Sequence, residues 1–165
     1  MSDAIRKAVP IENGGRYLCF TLGKDKFAIP LLQVKEVIAD VETTNIPQAP
    51  PYFQGIMNLR GQVISVIDLR VKLKLGKPEK SPETTIVILD LSPLILGVVV
   101  DSVDSVVEYE GADISPAPDT DSLLKTDYIL GVARSEKTLT LLLDLAKVLN
   151  VDDFKFMKMQ SAKAS

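Results

Sequence analysis

Any chemistry in this chain rests on a few charged side chains, and Arg60 and Glu36 stand out among them. Arg60 lies in Gly55-Ile56-Met57-Asn58-Leu59-Arg60-Gly61. There Arg60-Gly61 is suited to a tight hairpin turn, with Gly61 supplying the positive φ that other residues resist. An arginine on such a turn projects from a rigid base. Glu36 lies in Gln33-Val34-Lys35-Glu36-Val37-Ile38. The expectation is that Glu36 and Arg60 approach each other at a surface groove and fix one another's side chains.

The usual catalytic groups are scarce. The chain has no histidine, so the commonest general base and the Ser-His and Cys-His nucleophile pairs are absent. Its one cysteine, Cys19, alternates with core residues and has no basic neighbour to depress its pKa, so it reads as a small core or strand-face residue. A lone cysteine makes no internal disulfide, which fits a reducing cytoplasm. Asp119, Asp121 and Asp127 are the densest carboxylate group. A calcium loop begun at Asp119 would place Leu124 where glycine is needed and Leu130 where a bidentate glutamate is needed, so a solvated acidic loop is expected. None of the nine glycines has the spacing of a nucleotide or dinucleotide cradle. Ile86-Val87-Ile88-Leu89-Asp90 is an apolar strand ending in Asp, the place of a receiver-type phosphoacceptor. That fold also needs an earlier acidic pair and a helix after every strand, and neither is present. Asp90 therefore reads as a solvent-facing strand residue. No metal and no cofactor are expected.

The elements that position Glu36 and Arg60 come from an internal repeat. Tyr17 to Val37 matches Ile86 to Val106 at an offset of 69, and Gly55 to Leu73 matches Gly131 to Leu149 at an offset of 76. Each copy holds a glycine followed thirteen residues later by Asp-Leu, at Asp68-Leu69 and Asp144-Leu145. Ile46 to Pro50 resembles Ile114 to Pro118, which puts the seven-residue insertion after Pro118, in Asp119 to Ser122. Two similar modules follow. Period-two alternation, as in Leu18, Phe20 and Leu22 against Tyr17, Cys19 and Thr21, predicts short strands. Turn residues at Gly23-Lys24-Asp25, Arg60-Gly61, Ser92-Pro93 and Ser135-Glu136-Lys137 suit meanders that curl into small barrels. Asp68 and Asp144 are candidate N-caps for a short helix closing each copy. Matched apolar positions are explained by packing, so function is sought where the copies diverge. Glu36 stands against Ser105, and Arg60-Gly61 against Glu136-Lys137.

Composition bounds the rest. In 165 residues, 46% of them hydrophobic, two modules of about 70 residues would each be marginal alone and should share an interface. With 19 basic and 22 acidic side chains, the net charge of -3 argues against a general polyanion binder. Residues 1 to 80 hold 12 basic and 8 acidic groups and the remainder 7 and 14, so the two halves present different fields. Met1 to Gly15 lacks the apolar core of a signal peptide, and no run reaches the eighteen or so apolar residues of a membrane span. No direct membrane insertion is expected.

Tyr17-Leu18-Cys19-Phe20-Thr21-Leu22-Gly23, Phe27-Ala28-Ile29, Val34-Lys35-Glu36-Val37, Gly55 to Gly61 and Val66-Ile67-Asp68-Leu69-Arg70 together resemble the CheW-like family of bacterial chemotaxis coupling proteins. Gly97-Val98-Val99-Val100-Asp101, Pro116-Ala117-Pro118 and Leu142-Leu143-Asp144-Leu145 extend the resemblance, which covers about 16 to 150. It implies an all-β fold of two tandem five-stranded SH3-like barrels, with a short helix after each and a C-terminal helical tail. One domain, 16–150, would comprise subdomains of about 16–75 and 84–150 with possible strand exchange, and 1–15 and 151–165 would be flexible tails. The family implies no enzyme activity. It implies a cytoplasmic adaptor, recruited to membrane receptor clusters, that links the cytoplasmic tip of methyl-accepting chemoreceptors to the regulatory domain of the histidine kinase CheA.

By position in the family pattern, Val34, Glu36, Ile38, Asn58, Leu59, Arg60 and Gly61 correspond to the receptor-facing region, with Arg60 as charged anchor and Val34 and Ile38 as apolar contacts. Ser102 and Ser135-Glu136-Lys137-Thr138 depart from the family pattern in the second copy, so no kinase-binding residue is assigned. Two other readings stand beside this one. One is a scaffold of a different receptor-kinase pathway such as twitching motility. The other is a single-stranded nucleic-acid binder, which needs a basic groove with stacking aromatics. The nine aromatics here fall partly at inward strand positions, and the net charge is negative, so no nucleic-acid partner is expected.

Overall fold

The computed structural model describes residues 14–77, 79–116, 128–135 and 138–163. The acidic run from Asp119 to Asp127, Ala117-Pro118, Glu136-Lys137 and the segment before Gly14 lie outside the described residues. The first copy runs β1 (Gly15–Leu22), β2 (Asp25–Pro30), a 3-10 turn (Leu31–Gln33), β3 (Val34–Ala39), β4 (Phe53–Leu59), β5 (Gln62–Asp68) and α1 (Leu69–Lys72). The second runs β6 (Thr85–Asp90), β7 (Ile95–Val100), β8 (Ser102–Tyr109), a short β9 (Ile114–Ser115), β10 (Ile129–Ser135), β11 (Thr138–Leu143) and α2 (Leu145–Val148), and α3 (Val151–Lys163) ends the chain. No helix among the described residues is long and apolar enough to cross a membrane.

Strand registers reproduce the repeat residue for residue. Phe20 faces Phe27 across β1 and β2, and Leu89 faces Leu96 across β6 and β7. Gly55 faces Val66 and Gly131 faces Leu142, each beside a bulge in its hairpin. The parallel pairings match too, Leu141 with Phe27 and Ser65 with Leu96. Asp68 caps α1 by accepting the Val71 amide at 3.1 Å, and Asp144 caps α2 by accepting the Ala146 amide at 3.1 Å. Those carboxylates satisfy helix-start donors that have no partner within the helix.

The sheets, however, are not divided at the boundary between copies. One has the order β3-β6-β7-β5-β4 and the other β8-β1-β2-β11-β10-β9. Each copy therefore gives its first hairpin to the sheet built from the remainder of the other. The crossings are short. Leu31–Gln33 carries the chain from β2 to β3, and Asp101 alone separates β7 from β8, so a single bent strand turns the corner between sheets. Asp101 secures that corner. Its amide donates to the Thr21 carbonyl at 3.1 Å, and its Oδ2 accepts the Gly23 amide at 2.6 Å and lies 3.3 Å from Arg70 Nη2.

Three apolar clusters result. Tyr17, Cys19, Ala28, Tyr109, Ile114, Ala133 and Leu142 belong to the six-stranded sheet alone. Met57, Ile64, Val66, Ile86, Ile88 and Val99 belong to the five-stranded sheet alone. The largest cluster draws on both, including Leu18, Phe20, Leu22, Phe27 and Ile29 from β1 and β2 against Val87, Leu89, Leu96, Val98 and Val100 from β6 and β7. Each such side chain contributes about 2 kcal/mol when buried. The five from β1 and β2 thus supply stabilisation of the order of a whole domain's net stability, about 5–15 kcal/mol.

Gly55 closes the five-stranded barrel. Its φ is +152°, and a Cβ there would lie 2.6 Å from the Thr44 carbonyl oxygen. Thr44 pairs with Ile56 through two backbone bonds of 2.8 and 2.9 Å, so the chain beyond β3 crosses directly over β4. In the other sheet, β9 makes the same return onto β10.

The segment beyond residue 150, expected as a helical but flexible tail, is the thirteen-residue helix α3, and it is packed against the fold. Asn150 Oδ1 accepts the Asp153 amide at 2.8 Å and Asp153 Oδ2 accepts the Asn150 amide at 2.9 Å, a reciprocal cap. Lys72 donates to Asp153 Oδ2 at 2.7 Å, and the Tyr52 hydroxyl donates to Oδ1. Met157 is fully buried, and the Phe156 ring meets Phe53 edge-on at 4.9 Å. These contacts more than offset the entropy of ordering the tail.

Burial pushes the Asp153 carboxyl up, but the bonds from Lys72, Tyr52 and the Asn150 amide outweigh it and hold the group below its ordinary value. A depressed carboxylate stabilises the fold above its unfolded pKa of about 3.9, and that stability is lost as the pH falls through the lower folded value. The urea midpoint should therefore drop between about pH 5 and about pH 2, with part of the drop missing in Asp153→Asn. Gly55→Ala should cost more than about 2 kcal/mol in urea unfolding, since backbone must move and φ is unfavourable.

Candidate functional site

The β4–β5 hairpin presents Arg60 at its tip. Leu59 pairs with Gln62, leaving a two-residue turn in which both Arg60 (φ +52°) and Gly61 (φ +87°) are left-handed. Two positive φ values make a type I′ turn, the form whose twist matches the flanking strands. The sequence pointed to Gly61 alone as the left-handed residue, whereas here Arg60 adopts that conformation too. Asn58 Oδ1 accepts the Gly61 amide at 2.8 Å and holds the turn from one side.

Glu36 reaches Arg60 from β3. That strand and β4 are the two outer strands of the five-stranded sheet, so the ion pair spans the seam where the barrel closes. It is bidentate: Arg60 Nη2 donates to Oε1 at 2.9 Å, and Nη1 donates to Oε2. The Arg60 side chain is 72% exposed and Glu36 22%. The bond from Arg60 is the main cause that lowers the Glu36 carboxyl, and the same bond raises the guanidinium. An exposed pair of this kind adds little to stability. Its effect is positional, because two parallel N–H···O bonds fix the guanidinium plane at an exposed tip.

The other sequence-singled residues divide by burial. Asn58 and Gly61 are exposed, while Val34, Ile38 and Leu59 are half-buried. Val34 packs against the shared core, and Ile38 and Leu59 pack against the five-stranded sheet's own cluster. A bulge between Val34 and Glu36 sends Val34 and Ile38 to different cores despite their even spacing. Val37, between them, is an exposed large apolar side chain of β3, at 42%. Position in the family pattern suggested Val34 and Ile38 as apolar contacts on one surface, and the bulge is what that pattern could not foresee.

The groups set aside for catalysis are structural here. Cys19 is buried, its thiol pushed up first by burial, with Sγ 3.7 Å from the Tyr109 hydroxyl. Asp90 Oδ1 accepts both the amide and the hydroxyl of Ser92, at 2.9 and 3.0 Å, and so shapes the β6–β7 turn. Sequence reasoning missed two other charged centres, Asp153 with Lys72 and Tyr52, and Arg70 with Asp101 and Glu79. The spacing of Asn150 and Asp153 did carry a helix-start signal. Nothing local marks Arg70, whose partners lie 9 and 31 residues away.

Known proteins share the chain's sequence pattern and its fold. The family model described as "CheW-like domain" matches residues 16–153. The chemotaxis protein CheW of Klebsiella aerogenes is 31% identical over 140 residues, covering 85% of this chain and 84% of that protein. Protein FrzA of Myxococcus xanthus is 29% identical over 119 residues, covering 72% and 74%. A crystal structure of the scaffolding protein TtCheW from Thermoanaerobacter tengcongensis superposes with a TM-score of 0.77 at 29% identity, covering 85% of this chain and 95% of that one.

A test of the turn follows. Gly61→Ala meets no atom within 4 Å, so its cost should be the left-handed backbone alone, about 1 kcal/mol in urea unfolding. A loss several times larger would mean that Gly61 serves packing and not the turn.

Proposed function

The chain belongs to the CheW-like domain family, and on that premise we propose that it is a chemotaxis signalling adaptor that works by binding and catalyses no reaction. It couples the cytoplasmic tip of methyl-accepting chemoreceptors to the regulatory domain of the histidine kinase CheA, and so is held at membrane receptor clusters without entering the bilayer. What supports a receptor site at Arg60 is a single observation. A guanidinium 72% exposed is held by a bidentate carboxylate on a two-residue turn, so little side-chain freedom remains to be lost on binding.

The surface suits a helical partner. Arg60 and Glu36 form a charged station beside exposed Asn58, and an amphipathic receptor helix would set a polar side chain on Arg60. The half-buried Val34, Ile38 and Leu59 support that surface from beneath. The station belongs to one barrel only. In the other, Ser105 stands where Glu36 does, exposed on β8. One receptor site per chain leaves the remaining surface for the kinase.

Arg60→Glu should weaken binding of a soluble receptor signalling fragment by about tenfold or more, as for a central charged anchor, and leave the far-UV spectrum unchanged. Binding of the isolated CheA regulatory domain should be unaffected in the same pull-down. Undiminished receptor binding by the variant would sink the Arg60 assignment, and wild type binding neither partner would sink the adaptor reading.

A further inference from the structure

A second surface feature lies apart from Arg60. An open cavity of about 340 Å³ sits where the segment after β3 folds back over the start of β4, with walls from Val41, Glu42, Thr43, Tyr52, Phe53 and Asp68. Its volume is at the small end of ligand sites, about 300–1,000 Å³. We propose that this cavity is a docking site for a cationic side chain, arginine or lysine, presented by a partner protein.

Charge and wall chemistry carry the proposal. Of the charged groups lining the cavity, Lys80 is held by Asp40 at 2.8 Å, which leaves Glu42 and Asp68 to set the local field. Asp68 is 7% exposed, and its capping bond to Val71 is an amide bond. Arg70, the nearest guanidinium in sequence, is directed to Glu79 and Asp101 at 3.0 and 3.3 Å. Among the described residues no cation lies within ion-pair distance of Asp68. Burial pushes this carboxyl up, and the Val71 and Arg70 amides and the Arg70 charge offset it only in part. A cation entering the cavity would add a direct ion-pair partner.

The aromatic walls suit the same ligand, since ring faces attract ammonium and guanidinium groups. The Tyr52 ring already carries one cation, Lys72 Nζ at 4.4 Å from its centroid. Those walls are also held from behind by α3: the Tyr52 hydroxyl is tied to Asp153 and the Phe53 ring to Phe156 at 4.9 Å. The cavity is therefore preformed, which lowers the ordering cost of binding. None of its lining residues belongs to the Arg60 station, so the proposal stands or falls independently of the receptor reading.

The test is an amide-resolved NMR titration of the full chain with N-acetyl-arginine amide, N-acetyl-lysine amide and the uncharged N-acetyl-citrulline amide. A saturable shift of residues 41–45, 52–54 and 68 with either cation, at least about fivefold weaker with citrulline amide, supports the site, and the stronger cation identifies its occupant. Loss of that shift in Asp68→Asn supports it further, because asparagine caps α1 as well as aspartate does. Glu42→Gln, at an exposed position, should weaken the shift without touching the fold. Absence of saturation at these residues with both cations, or equal shifts with citrulline amide, would overturn it.

Discussion

The rest of the structure depends on two hairpins having no solvent face. β1–β2 and β6–β7 each place one set of side chains in their own barrel and the alternate set in the core between the barrels. A modest barrel of this size is marginal alone. Lending its first hairpin to the other half of the chain turns two marginal cores into three connected ones. Neither barrel can then unfold without uncovering the shared core, so the molecule should behave as one cooperative unit.

That arrangement also explains where asymmetry is tolerated. Residues within the shared core are matched between copies because both copies serve the same packing. At the seams, which face solvent, the copies are free to differ. One corner between sheets is secured by Asp101, Arg70 and the Gly23 amide. Its repeat partner at Leu32 is 77% exposed. Glu36 and Arg60 occupy such a seam in one barrel only. The cavity beside Tyr52 lies at the closure of the same barrel, backed by a helix with no counterpart in the first copy. Added function has collected at the edges of the repeat, where it costs the core nothing.

Helix α3 ties the end of the chain back to its beginning. It follows the six-stranded sheet but anchors on α1, Tyr52 and Phe53 of the other half. The Asp153 carboxylate joins backbone cap, ammonium and phenol at one point. With most of its lone pairs satisfied, such a buried group is specific for one geometry, and losing any partner leaves a charge uncompensated.

The sequence by itself determined the repeat, the strand and turn order and the capping aspartates, and it singled out Glu36 and Arg60. All are short-range matters: alternation, glycine at strained positions, and a divergence between aligned copies. It also carried the family pattern through residue 150. What only the tertiary structure decided is which strands share a sheet, because alternation says that a strand has two faces and not what covers them. Tyr17 and Leu18 look like an outward and an inward residue, yet both are buried, in different cores. The bulge that separates Val34 from Ile38 and the docking of the last helix likewise belong to contacts across the fold. Asp153 meets Lys72 and Tyr52 over 81 and 101 residues of chain, and no local pattern can report a bond that exists only once both ends have folded.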